Sequence, residues 1–315
     1  MQKFISKYQE FQGNLSTLED YILFNKDTRE ANYREYRDIV YGAIINRGYA
    51  LWETFVKDIF YIYFSLKKQD FYENNTIVER YKLHELPSFL FESAVLNIDE
   101  ERISFDLNKD ILSYTSKNMD MKELSRLFKR VDLDIQNKLN NNSELKDAVY
   151  SFELAFENGL LKENKTSQAL KRLIQERNLV SHYAHLDTFQ SIDILLEWIK
   201  YYKILGKNLS KEVCLEFVKT LDQNKKMIGD CKIVHQRSIL LVDIYSEIEI
   251  DKNTKLFVYS NNTLIDIVIP KSFRIEDNEV TSVSEHDKAG IKVQTIFEYE
   301  TNIKKEHKYY VIEGI

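Results

Sequence analysis

From about Arg29 to Lys68 the chain runs without a proline, with only Gly42 and Gly48 to loosen it. Its apolar residues recur at helical spacing: Ile45, Trp52, Phe55, Val56, Ile59 and Tyr63 form one arc. A helix of that length with a single apolar stripe has to be covered by other elements, so this run dictates what its neighbours must supply. Residues 2 to 22 read as a first such neighbour, with Phe4, Ile5, Tyr8, Phe11, Leu15 and Leu18 at helical spacing, and Asn25 to Thr28 break it. The whole chain holds two prolines, which suits long uninterrupted helices. Glu53 lies at the margin of the long arc, beside Tyr49 and Phe60. It is either an ordinary boundary residue or the carboxylate partner of a buried cation.

Residues 70 to 142 are a less regular insertion, punctuated by Asn74-Asn75, Pro87 and Asn140-Asn141-Asn142, with short helices expected at 76–83, 87–96, 121–128 and 144–156. Arg126, Lys129 and Arg130 make a small basic cluster, either a solvated face or one turned to RNA. Thr166 or Ser167 offers an N-cap for a helix reaching Ser181 or His182. Asp187 offers one for a helix over 187–205 that Gly206 ends, and a final helix follows from Ser210 to Leu221. After Gly229 the pattern changes to β-branched and alternating runs, Ser238–Ile244, Lys255–Tyr259, Thr263–Ile269, Ile291–Phe297 and Tyr309–Ile312. Asn and Asp clusters at 251–253, 261–262 and 277–278 separate several of them. The reading is mainly α: a helical domain over 1–222, then a small β domain over 229–315, a curled sheet or a compact barrel. His235, His286 and His307 are scattered there without ligand spacing.

The formal net charge is −6, so any nucleic-acid contact has to be a local patch. Cys214 and Cys231 show neither metal-ligand spacing nor a disulfide framework, and reduced thiols in a cytoplasm are the expectation. Met1 to Asp20 is charged throughout with no signal-peptide core, and the most apolar run, Ile59 to Leu66, is too short to span a bilayer. A cytoplasmic protein without a membrane segment is expected.

The residues that carry chemistry are gathered in Lys171-Arg172-Leu173-Ile174-Gln175-Glu176-Arg177-Asn178-Leu179-Val180-Ser181-His182. As a helix this segment has an apolar face of Leu170, Leu173, Ile174, Val180 and Ala184, with Arg177 near its middle. A guanidinium there keeps its charge, so it needs a carboxylate, a phosphate or a polar cleft between subunits. Lys171, Gln175, Asn178 and His182 form the neighbouring stripe and line one groove. That equipment suits a phosphodiester, with Lys171 and Gln175 as RNA-binding candidates. An interface ion pair would account for Arg177 as well.

Glu176-Arg177-Asn178-Leu179-Val180-Ser181-His182 resembles the Arg-Asn-x-x-x-His motif of the HEPN superfamily. Tyr49 to Asp58, with an aromatic, an acidic residue and a second aromatic in order, resembles the early helix of its RiboL-PSP branch. The likeness covers residues 1 to about 222, most firmly 38–66 and 166–205. It implies a bundle of four or more helices that dimerises so that two motif helices face each other across a cleft. It also implies a metal-independent endoribonuclease of toxin–antitoxin or phage-defence type, with an antitoxin or defence-system partner; other members are inactive RNA-binding or dimerisation modules. Carried over, Arg177 and His182 are the catalytic pair, Asn178 orients the pair or the phosphate, and Glu53 is the supporting acid. Many members of the branch have Gly after the His, where this chain has Tyr183.

The chemistry of the residues agrees with that implication. RNA carries its own nucleophile, the 2′-OH. Cleavage then needs a proton acceptor, positive charge on the phosphate and a proton for the leaving 5′-oxygen. Histidine exchanges protons near neutrality, and arginine stabilises phosphorane charge without titrating. No cofactor or metal is called for. On one helix Arg177 and His182 point roughly 140° apart, which a two-fold homodimer resolves by taking the Arg from one helix and the His from the other. The expectation is a homodimeric ribonuclease. The alternatives are a non-catalytic RNA- or nucleotide-binding module and a purely structural interaction protein.

Overall fold

The computed structural model describes residues 1–27, 36–73, 95–99, 102–105, 108–151, 156–157, 160–161, 165–182, 186, 189–221, 224–245, 247–297, 301 and 303–312. Two compact units divide between Val213 and Cys214. The expected helix over 76–83, most of that over 87–96, and the Asp187 cap lie outside the described residues.

The first unit is built on α1 (Gln2–Asp27) and α2 (Arg37–Leu66). The apolar arc of α2 is buried as its spacing requires: Trp52, Val56, Ile59 and Phe60 have no exposure, and Phe55 and Tyr63 almost none. Phe11 of α1 stacks on Phe55 with centroids 4.1 Å apart. Short helices follow: α3 (Lys68–Glu73), α4 (Lys109–Leu112), α5 (Met121–Lys129), α6 (Ile135–Asn141) and α7 (Ser143–Ser151). Asn108, Asp120 and Asp134 cap α4, α5 and α6. A hairpin of β1 (Val95–Asp99) and β2 (Arg102–Phe105), and a two-residue pair of β3 (Phe156–Glu157) and β4 (Leu160–Leu161), interrupt the helices. The end of the expected helix over 87–96 is thus strand.

The motif helix, α8 (Lys165–His182), packs on α2. Thr166 and Ser167 lie inside it, where the Ser167 hydroxyl donates to Asn140 Oδ1 at 2.9 Å instead of capping. The last helix, α9 (Ile192–Lys219), is one continuous element where a break at Gly206 was expected. Gly206 sits against the rings of Phe11 and Phe55, and a Cβ there would collide with Phe11, so the glycine serves close packing and not termination. At the start of α9 the Ser191 hydroxyl accepts from the Ile194 N–H at 3.3 Å.

The second unit carries an eight-stranded antiparallel sheet with the path β5-β12-β8-β9-β11-β7-β6 and β10 paired to β9. Its strands are β5 (Lys225–Met227), β6 (Gly229–His235), β7 (Ile239–Ile244), β8 (Leu256–Ser260), β9 (Thr263–Ile275), β10 (Asn278–Val280), β11 (Lys288–Thr295) and β12 (Lys308–Ile312). The path has two ends, so the sheet is not closed into a barrel. The asparagines at 261 and 262 form a two-residue hairpin turn with φ of 48° and 62°, the conformation their small polar side chains tolerate. Gly229 has φ 156°, and a Cβ there would strike the Asp243 carbonyl oxygen. That close approach lets the chain change partner from β12 to β7. Leu240, Val268, Phe273, Ile291 and Tyr309 centre the core. Among the described residues no helix is long and apolar enough to cross a membrane.

Candidate functional site

The site is organised by the contact of α8 with α2, which three side-chain pairs fix along its length. The Tyr41 hydroxyl donates to Glu176 Oε1 at 2.5 Å and accepts from the Gln190 N–H at 3.3 Å. The Ser181 hydroxyl donates to Asn46 Oδ1 at 3.0 Å. Between them the Arg177 guanidinium lies over the Tyr49 ring, 5.1 Å from its centroid. Leu170, Leu173 and Ile174 are buried, whereas Arg177 is half-buried. It occupies its place on the apolar face by resting on an aromatic ring.

Arg177 also donates from Nη1 to Asn178 Oδ1 at 3.2 Å, and Asn118 Nδ2 donates to the same oxygen at 2.9 Å. Because arginine only donates, the atom facing it must be the amide oxygen of Asn178, and the neighbouring atom of Asn118 must be its nitrogen. Asn118 Oδ1 then faces the Tyr49 hydroxyl at 3.5 Å, and that hydroxyl accepts from the Met119 N–H at 2.8 Å. Trp52 Nε1 donates to the Met119 carbonyl at 3.1 Å and pins the same turn. With both acceptor positions on Asn178 filled, the group it has left is its NH₂, a donor.

Asn178, Gln175, Leu179 and His182 line an open groove along the outer face of α8, together with Arg172 and Glu176. His182 is exposed at the last turn, and Leu179 is 45% exposed. Lys171 and Gln175 are exposed on the same helix, so the stripe read from spacing faces solvent. Arg177 does not line the groove. Asn178 is the residue that touches both sides, gripping Arg177 with its oxygen and reaching the groove.

Glu53 stands one turn beyond Tyr49 on α2 and pairs with Lys57 at 2.6 Å. No ion pair joins it to Arg177; both charges instead act on Tyr49. Burial raises the Tyr49 pKa, the Met119 N–H lowers it, Glu53 raises it and Arg177 lowers it, and the net shift is upward. The phenol therefore stays protonated near neutrality. Of the basic cluster, Arg130 donates to the carbonyls of Leu112 and Tyr114 at 2.9 Å each, and Arg126 pairs with Glu123 at 3.1 Å. Two of its three cations thus serve the local fold, and Lys129 is exposed. Asn118 and Tyr41 were not singled out from sequence. The one available signal was the polar Asn118 before an apolar Met in an irregular stretch, too weak to name it. Tyr183 and Ala184 lie outside the described residues, and among those described no group of three or more His, Cys, Asp or Glu is placed to hold a metal.

A family model described as RiboL-PSP-HEPN matches residues 9–222, and the C-terminal region is not covered by any family. Comparison with curated proteins finds no match.

Proposed function

We propose that this chain, which belongs to the RiboL-PSP-HEPN family, is an endoribonuclease that cuts RNA at a cleft between two copies of itself. HEPN domains typically bind RNA and dimerise, and ribonuclease activity is generally associated with them. The single observation that carries the finer reading is the state of Asn178: Arg177 and Asn118 occupy its oxygen, so it offers only N–H groups to an anion at the groove where His182 is exposed.

In the reaction, a phosphodiester lies against the groove with its non-bridging oxygens toward Asn178 Nδ2. The 2′-oxygen bonds to phosphorus as His182 takes its proton, and the bond to the 5′-oxygen breaks as that proton is returned. The products are a 2′,3′-cyclic phosphate and a 5′-OH, with no net change in protons. Arg177 neutralises the charge that builds on the phosphorane. Within one copy Arg177 rests on the Tyr49 ring of α2 and His182 is exposed; in this reading a two-fold pair of copies supplies the two groups, the Arg of one acting with the His of the other. Such an activity fits a toxin or phage-defence effector held in check by an antitoxin or another defence component.

The test is incubation of the purified chain with total tRNA and an mRNA transcript in EDTA, beside His182→Ala. Cleavage by the wild type alone, leaving 2′,3′-cyclic phosphate ends, is expected. RNA binding without cleavage by a folded dimer would instead mark a non-catalytic binding module.

A further inference from the structure

Among the described residues no ion pair reaches Arg177; a ring and an amide hold its guanidinium. Its Cζ lies 5.1 Å from the centre of the Tyr49 ring, and Nη1 donates to Asn178 Oδ1 at 3.2 Å. Tyr49 is 4% exposed, so the ring is a nearly dry surface. A cation over an aromatic face is held more strongly there than in water. The guanidinium is planar and weakly hydrated, which suits it to such a seat better than an ammonium.

The hydroxyl of the same side chain has a separate task. It accepts the Met119 N–H at 2.8 Å and faces Asn118 Oδ1 at 3.5 Å. Trp52, three residues further along α2, donates from Nε1 to the Met119 carbonyl at 3.1 Å. These bonds fasten the segment Asn118-Met119 to α2, and from it Asn118 Nδ2 donates to Asn178 Oδ1 at 2.9 Å. The contacts close into a circuit that runs from the Tyr49 ring to Arg177, on to Asn178 and Asn118, and back to the Tyr49 hydroxyl. Each member is thus held by two neighbours, the condition under which a reactive group keeps one orientation. Glu53 also acts on this hydroxyl but is bonded to Lys57 at 2.6 Å, and it leaves the arginine to the ring.

We infer that Tyr49 is a positioning residue of the cleavage site: its ring seats the Arg177 guanidinium, and its hydroxyl fixes the segment that aims Asn118 at Asn178. The inference rests on the ribonuclease reading for the reaction that Arg177 serves. It gives the support of the motif arginine to a buried phenol and not to a carboxylate.

Substitution separates the two tasks. Tyr49→Phe keeps the ring and removes the hydroxyl, whereas Tyr49→Leu removes both. Each is assayed on RNA in EDTA beside the wild type. Tyr49→Leu should lower kcat about thirtyfold or more with KM little changed, the equivalent of about 2 kcal/mol for a desolvated cation–π contact. Tyr49→Phe should lose about tenfold, as Asn118→Ala does, and the double variant no more than either alone, because both open one circuit. The readout that a merely structural tyrosine would not move is chemical rescue. Guanidinium ion, added well below denaturing concentrations, should restore part of the cleavage to Arg177→Ala and to Arg177→Ala/Tyr49→Phe, and none to Arg177→Ala/Tyr49→Leu. Equal rescue with and without the ring overturns the inference, as does no rescue of Arg177→Ala, or a Tyr49→Leu that cuts at the wild-type rate. Should Tyr49→Leu fail to fold, the Tyr49→Phe/Asn118→Ala pair decides, and additive losses overturn the inference. A wild type that cuts no RNA overturns the ribonuclease reading and this inference with it; a wild type that cuts while the ring makes no difference overturns this inference alone.

Discussion

Asn118 donates to the side-chain oxygen of Asn178 at 2.9 Å across 60 residues of sequence, and in doing so turns the motif asparagine into a pure donor. The direction of the whole chain of bonds, from Arg177 through Asn178 and Asn118 to Tyr49, follows from arginine having no acceptor.

Asn118 is therefore expected to be a positioning residue. In Asn118→Ala the Asn178 amide keeps only its bond from Arg177 and is free to rotate. The stability cost should be about 1 kcal/mol, one lost hydrogen bond, while RNA cleavage should fall about tenfold, the equivalent of 1.4 kcal/mol in the barrier. Steady-state kinetics should place the loss in kcat and not in KM. A variant that unfolds more easily yet cleaves at the wild-type rate would assign Asn118 to structure alone.

Tyr41 ties α2 to the motif helix through Glu176, and its pKa is raised, first by burial and then by the facing carboxylate. A raised folded-state value means that the stabilisation is complete below the unfolded value of about 10 and drains away as pH climbs past it, because the unfolded chain ionises first. Tyr41→Phe should cost about 1–3 kcal/mol near neutrality and flatten the alkaline loss of stability. Urea midpoints at neutral and alkaline pH read both effects. An unchanged alkaline slope would show that Tyr41 is not its source.

In the β unit the opposite sign applies at His307, which is buried and accepts the Lys304 N–H on Nδ1 at 3.2 Å. Burial holds its pKa below the ordinary histidine value. Its contribution is full above the unfolded value of about 6.5 and is lost as pH falls through the lower folded value, since the unfolded chain takes the proton first. His307→Gln should make the unfolding midpoint less sensitive to acid between neutral pH and mildly acid conditions. Equal sensitivity in both proteins would argue against it.

Much of this was legible in advance. The arc of α2 and the apolar and polar stripes of α8 follow from spacing alone, because one buried face at 3.6-residue period leaves few arrangements. The turn at Asn261-Asn262 was equally plain. Gly206 misled: its local signal is a helix stop, and only the Phe11 ring packed against it shows why a glycine stands mid-helix. The early strands β5 and β6 escaped notice because Lys225, Lys226, Asp230 and Lys232 hide their alternation. Spacing left Glu53 as either a boundary residue or the carboxylate partner of a buried cation, and its ion pair is local, with Lys57 one turn away. Asn118 lies in an irregular segment, and its role depends on a tertiary contact that spacing does not encode.

The most direct test of the account is complementation between two inactive copies. Arg177→Ala and His182→Ala are purified separately, then dissociated and reassociated together, and assayed on RNA in EDTA beside the wild type. Each variant alone should be inactive. The mixture should regain cleavage, because a mixed dimer holds one cleft with an intact Arg177 and an intact His182 from different copies. A mixture that forms mixed dimers yet stays as inactive as its components, while the wild type cuts, would contradict the shared site.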